Sequence, residues 1–485
     1  MIRSLRSRFV IALAAAVSSV GAACAPADEG RGATVLFASG ADLQSINPLV
    51  SVHPLARQVQ KYVLLTTLVR YDSTLVPQPY LARRWEWSPD RRVLTFRLSS
   101  ALRWHDGRPT TAGDVAWTLE QARDPATGYP RLVDMAGITG IDAPDDTTVL
   151  VRFAVPQSGI PDVLTDLAIL PRHHFAGVAP AELRRAAWND APVGNGPFRF
   201  VAHDPNRRWV FAANAEFPDA LGGPPRLDRL VIAVVDEPTT KLAALASGEL
   251  DFAGIQPAHA EFVRRREPLA VLDYPLLFTY AMVLNTRRSP FGDPAVRSAI
   301  DLAIDRQEIV DGFIFGFGTP ATGAVPPGVP GALPPPVVPH DPDSARALLA
   351  GRRPAFELLT VGSGEAALEQ MIQAQLGEVG FDVSIRQLEL SAFLDRVYGP
   401  RREFDVAVLG VPGDLGLGYI GPLGELAGVE LPREPSEAQA ALARDRPVVF
   451  LYHARGVQGR NTRVRGVTMD VRGELATVST WWIDR

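Results

Sequence analysis

The sequence predicts an α/β protein made of two lobes, because each half of the chain carries one strand–helix–strand unit with clear stops. In the first unit Leu230–Val235 reads as a strand and Thr239–Ser247 as a helix with Pro238 near its start. Leu250–Gly254 reads as a second strand after Gly248. In the second unit strand Phe356–Val361 leads into helix Glu365–Val379, which Gly380 stops, and then into strand Phe381–Leu388. Such a connection crosses over right-handed and makes its two strands parallel. With 485 residues and 46% apolar side chains, the chain can fill two or three cores.

The remaining elements follow in order. Arg3, Arg6 and Arg8 precede an apolar run from Phe9 to Val17, and small residues continue to Ala23, the order and proportion of a secretory signal peptide over residues 1–23. Cys24, the only cysteine, follows Gly21-Ala22-Ala23 and resembles the lipidated cysteine of a bacterial lipobox; the other reading is a free thiol in a discarded leader. Without the leader no thiol remains for a disulfide or a zinc–thiolate site. Residues 24–32 read as a tether, Ala33–Ala38 as a strand, and Leu55–Leu68 as a helix with Val59, Tyr62, Val63 and Thr66 on one face. Leu94, Phe96 and Leu98 alternate with polar residues after the Ser88-Pro89-Asp90 turn, as in a half-buried hairpin strand. Thr111 and Asp114 are spaced to cap a helix whose Val115, Leu119 and Ala122 share a face. Thr148–Phe153 is a strand, and Gly194–Phe198 is a turn leading into strand Phe198–Val201. Asp293-Pro294 starts a helix with a stripe of Val296, Ala299, Ile300 and Ala303. Asp305 with Glu308 starts the next helix, and Asp341-Pro342 another. Residues 320–339 are proline-rich and irregular. Strands Phe404–Gly410 and Pro447–His453 and a helix near Glu437–Arg444 complete the set.

Several function classes are excluded. A net charge of −5 gives no basic face for nucleic acid. Only Lys61 and Lys241 are lysines, a bias attributed to base composition. No run beyond the leader reaches the roughly 20 apolar residues of a membrane span. Gly316-Phe317-Gly318 follows a helix and runs into prolines, the wrong context for a dinucleotide site. His173 and His174 are adjacent and expected to point apart. His105-Asp106 and His340-Asp341 lack recognised ligand spacing, so neither a metal nor a cofactor is expected. Ser363 is preceded two residues earlier by Val361 rather than glycine, so no nucleophile elbow exists and no catalytic residue is assigned.

Leu81-Ala82, Trp85, Asp90, Phe96, Leu98, Trp104, His105-Asp106-Gly107, Thr111-Ala112 and Asp114-Val115 together resemble the signature of the extracellular solute-binding proteins of ABC importers, family 5. The run from Asn285 through Pro290-Phe291 to Asp305-Arg306 resembles a second signature of that family, and Gln44–Pro48 and Gly194–Phe198 resemble two shorter ones. The resemblance implies a class II, cluster C periplasmic-binding fold around a ligand cleft. Lobe I would comprise 33–54, 175–280 and 447–485, a small extra domain 55–174, and lobe II 281–446. It implies a monomer, periplasmic or at the cell surface, that delivers a peptide or similar amine-bearing molecule to a membrane permease. Gly410–Asp414 resembles the family segment whose aspartate meets a bound peptide's amino group. Asp414 is thus the first ligand-binding residue implied, with Asn47, Asn195 and Tyr419 beside it; the other reading of Asp414 is a surface turn. Two departures bear on the ligand: Val411 stands where the family carries tryptophan, and the segment between Tyr419 and Glu437 is much shortened. They motivate the alternative of a degenerate homologue acting in the envelope by interaction or sensing, without transport.

Overall fold

A computed structural model of the chain describes residues 32–51 and 53–484. The leader, Cys24 and the tether up to residue 31 lie outside the described residues. One 11-stranded sheet runs through the molecule in the order 382–388, 355–361, 406–412, 269–284, 448–461, 252–254, 34–39, 229–234, 208–213, 198–204, and 318–320 pairs separately with 448–461. Both expected strand–helix–strand units are parallel. The pair 355–361 and 382–388 is in direct contact. Strands 229–234 and 252–254 instead flank Thr34–Ser39, which is parallel to both.

Two long antiparallel strands, Leu269–Leu284 and Val448–Asn461, join the halves. Their first and last portions pair as 269–275 with 455–461 and 279–283 with 448–453, and the register breaks between Pro275 and Thr279 and again between Tyr280 and Ala281. The strand Leu269–Leu284 was not among the expected elements. Beyond Tyr280 its side chains are buried on both faces, so its apolar run is continuous and lacks the alternation that marks a half-exposed strand. Met282 and Leu284 enter one core and Ala281 and Val283 the other, so the second half of the sheet is covered on both sides. In the first half Val35 and Phe37 face a core that continues into a four-stranded antiparallel sheet, 82–87, 93–98, 148–153 and 138–145, while Ala38 faces a smaller cluster with Leu245 and Val263.

The expected caps form. The N–H of Thr111 donates to Asp114 Oδ2 at 2.9 Å, and Asp293, Asp305 and Asp341 accept from Ala295, Glu308 and Ser344, each at 2.9 Å. One helix is shorter than expected: Pro54–Val59 passes into a π-helical turn, Gln60–Leu64, and stops, with Leu65 extended. The reason is tertiary. The Leu64 carbonyl accepts from the N–H groups of Asn195 and Gly196 at 3.1 and 2.8 Å, and Asn195 Oδ1 accepts from the N–H of Thr66 at 2.9 Å. This approach needs glycine, since a β-carbon on Gly194 would lie 2.0 Å from the Leu64 oxygen.

Candidate functional site

A cavity of about 640 Å³ lies where the two halves of the sheet meet. The register break in Leu269–Leu284 forms part of its floor: Leu276 and Leu277 bulge out of the ladder and line it, and the Leu277 carbonyl accepts from the N–H of Gly413 at 2.7 Å. Across from them the helix Pro54–Val59 and its π-turn contribute Arg57, Gln58, Lys61 and Tyr62. The segment 471–480 closes another side. Gln58 Oε1 accepts from the N–H of Leu475 at 2.8 Å, and Arg472 Nη1 donates to the Tyr71 carbonyl at 3.0 Å, which ties those walls together. Arg70 and Tyr80 both line the cavity, with the guanidinium 4.7 Å from the centre of the buried Tyr80 ring.

One wall is an ion cluster. Asp166 accepts from Arg57 and Lys61 and, at 2.6 Å, from Arg131 Nη1; Arg131 also reaches Asp162 Oδ2 at 3.3 Å and Asp134 Oδ2 at 2.5 Å. Burial opposes the charge on Asp166, but Lys61, Arg57 and Arg131 outweigh it and hold the carboxyl far below the ordinary range. Asp162 moves the other way: burial, then the charges of Asp166 and Asp414, push it up. Lys61 remains cationic, because Asp166 outweighs the burial that lowers its pKa.

Asp414 enters the cavity from the opposite half, on the loop after strand Val406–Pro412. Its Oδ1 accepts from the N–H of Gly418 at 3.2 Å, and among the described residues it makes no ion pair. Asp162 approaches the same loop: a β-carbon on Gly416 would lie 3.2 Å from Asp414 Oδ1 and 3.9 Å from Asp162 Cβ. Two carboxylates from opposite halves therefore converge at one end of the cavity, a few ångströms from an arginine- and lysine-rich wall.

The other residues expected at the ligand are placed elsewhere. Asn47 is fully buried, donating to Asn189 Oδ1 at 2.9 Å and accepting from the N–H of Leu49 at 3.0 Å. Asn195 is fully buried, bonded to Thr66 and to Thr110 Oγ1. Tyr419 lies behind Gly413 with its hydroxyl donating to the Ala324 carbonyl at 3.0 Å; burial, then Asp414, raises its phenol pKa. None of the three lines the cavity. Val411 packs with Leu417, Ile420 and Leu423, and residues 420–436 form the helix Ile420–Ala427, its exit and the start of the helix Pro435–Asp445 without reaching the cavity.

The two adjacent histidines correct an expectation. His173 and His174 do not point apart: in the 3-10 turn Arg172–Phe175 both rings turn to Asp106 Oδ2, at 2.6 and 3.1 Å, with ring centroids 4.5 Å apart. Backbone geometry does not align sequence neighbours here; the shared acceptor does, since both imidazoles swing to the one Asp106 oxygen, a contact 67 and 68 residues away in sequence. Lys61 and the Asp162–Asp166 pair were also missed. The one signal for Lys61 was its rarity, since Lys241 is the only other lysine in a chain rich in arginine.

Residues 76–419 match the family model described as bacterial extracellular solute-binding proteins, family 5 Middle. The chain belongs to that family. It is 29% identical over 393 residues to a putative ABC transporter peptide-binding protein of Brucella ovis, covering 76% of this chain and 73% of the relative. It is 30% identical over 386 residues to a probable di/tripeptide-binding protein of Pseudomonas aeruginosa, covering 73% of this chain and 72% of the relative. Among solved structures, the ABC transporter substrate-binding protein CtaP of Listeria monocytogenes superposes with a TM-score of 0.82 at 19% identity, covering 94% of this chain and 100% of that one. The fold is therefore the family's periplasmic-binding fold, with the cavity between its halves.

Proposed function

We propose that this family 5 protein captures a short peptide, or a similar molecule with a cationic amine, and delivers it to the membrane permease of an ABC importer. The observation that carries this reading is the cavity of about 640 Å³ with Asp414 from one half facing Asp162 from the other. Its size falls in the range of about 300–1,000 Å³ usual for small-ligand sites. An ammonium group between two carboxylates relieves their repulsion and gains charge-assisted hydrogen bonds in a poorly hydrated space. Arg70 and Arg472, which line the other walls, supply donors for a carboxylate or for peptide carbonyls. The ligand touches both halves only when they are closed, so binding shifts the population toward the form a permease recognises. Capture without catalysis follows from the family, whose members are described as solute-binding proteins.

The boundaries between lobe I, the small domain and lobe II given above belong to this reading, supported by the two long strands that bridge the halves. So do a monomeric state, a location outside the cytoplasmic membrane, and anchoring through Cys24. Among the described residues no helix is long and apolar enough to cross a membrane. The alternative of an envelope protein without transport is not favoured, because the cleft is not filled by the protein's own side chains.

A thermal-shift screen of the purified chain against di- and tripeptides, with sugars as controls, tests the reading. Peptides should raise the melting temperature in a concentration-dependent way. A shift by sugars alone, or by no peptide, would contradict it.

A further inference from the structure

Away from the cleft, three side chains that peptide capture does not use converge on one point. Asp106, on the turn after Trp104, meets His173 and His174 across a separation of 67 and 68 residues in sequence. One carboxylate oxygen and one nitrogen from each imidazole lie within 4.8 Å of one another. We propose that Asp106, His173 and His174 bind a divalent transition-metal ion, with Zn²⁺ fitting best.

Two imidazoles and a carboxylate are a donor set suited to zinc and its neighbours, and three protein ligands leave a fourth position for water. Zinc bonds of about 2.0–2.2 Å place tetrahedral ligand atoms about 3.3 Å apart. The separations of 2.6 and 3.1 Å from Asp106 Oδ2 need to widen only by tenths of an ångström. Without the ion each Nε2–H donates to Asp106 Oδ2; to ligate through Nε2 each neutral ring moves that proton to Nδ1, so the ion replaces two hydrogen bonds.

The ligands are also held in place. Asp106 Oδ1 accepts from the N–H of Arg108 at 3.1 Å, fixing the carboxylate, and the buried Trp104 meets the His173 ring edge-on at a centroid distance of 6.3 Å. The buried carboxylate of Asp114 binds both ligand-bearing segments, accepting from Trp104 Nε1 at 3.3 Å and from the N–H of Arg172 at 3.0 Å. The three ligand side chains keep between one fifth and one third of their surface exposed, so an ion can enter. None of them lines the cleft, so this site stands or falls independently of the proposed transport function.

The test uses the chain without a histidine tag, stripped with EDTA and then titrated with Zn²⁺ by calorimetry and with Co²⁺ by visible absorption. The expected result is one ion per chain, a tetrahedral cobalt spectrum and a raised melting temperature. Asp106→Asn should weaken binding at least about tenfold, and His173→Ala with His174→Ala should abolish it. Melting curves in EDTA check that the variants fold, and His174→Asn alone serves if the double variant does not. No cobalt spectrum in the wild type, or equal Zn²⁺ binding by wild type and variants, would reduce the cluster to a hydrogen-bonded one and overturn the proposal.

Discussion

On one side of the cleft Asp166 is surrounded by Lys61, Arg57 and Arg131, and Arg131 also reaches Asp162; on the other, Leu276, Leu277 and the loop Gly413–Leu415 present a largely apolar surface on which Asp414 is the one charged side chain. The first wall balances its charges internally, so it is finished before a ligand arrives. The second brings a carboxylate that makes no ion pair among the described residues. Under the proposed function, electrostatic selection for an amine would be concentrated on Asp414, with Asp162 facing it, and would become available as the halves meet. On that proposal the wall with more charge serves the architecture, and the wall with less serves recognition.

Breaking the first wall should cost the most. Asp166→Asn leaves three cations around a neutral group only about one eighth exposed, and the loss of stability to denaturant should be about 3–5 kcal/mol. Asp414→Asn should change stability by no more than about 0.5 kcal/mol. Equal losses in the two variants would erase the distinction between the walls.

A second test addresses the seam between them. His453 on the long strand Val448–Asn461 lies buried beside Thr279, Nδ1 to Oγ1 at 2.9 Å, and burial lowers its pKa to about 4. In the unfolded chain its pKa is about 6.5, so between these values the unfolded state binds the extra proton. The neutral histidine's contribution is complete above about pH 6.5 and is lost as pH falls toward 4, at up to about 1.4 kcal/mol per pH unit. His453→Gln should flatten that slope in denaturation curves measured from pH 7 to pH 4.5. An unchanged slope would mean that the seam does not sense protons through this residue.

What was legible in the sequence was local. Capping pairs such as Thr111 with Asp114, the turn at Ser88–Asp90 and both parallel units depend on residues near one another in the chain, and all of them formed. Structure decided by distant contacts was not legible. The helix after Pro54 stops at Leu64 because a turn 130 residues later takes up its carbonyl. The ion cluster joins Arg57 to Asp166 and Lys61 to Asp166 over separations of 109 and 105 residues, which no spacing rule reaches. Asn47 and Asn195 sit in segments that resemble family motifs, yet both amides turn inward to satisfy neighbouring polar groups. Asp414 was reached through family resemblance, because a lone aspartate among glycines looks like any turn.

The central claim is that the ligand's amine is held by Asp414, and a cycle of calorimetric titrations tests it most directly. A peptide found to bind is compared with its N-acetylated form on wild type and on Asp414→Asn. Acetylation should weaken binding to the wild type at least about tenfold and have little further effect on the variant, because both changes remove one interaction. Losses that simply add would show that the amine and Asp414 do not meet.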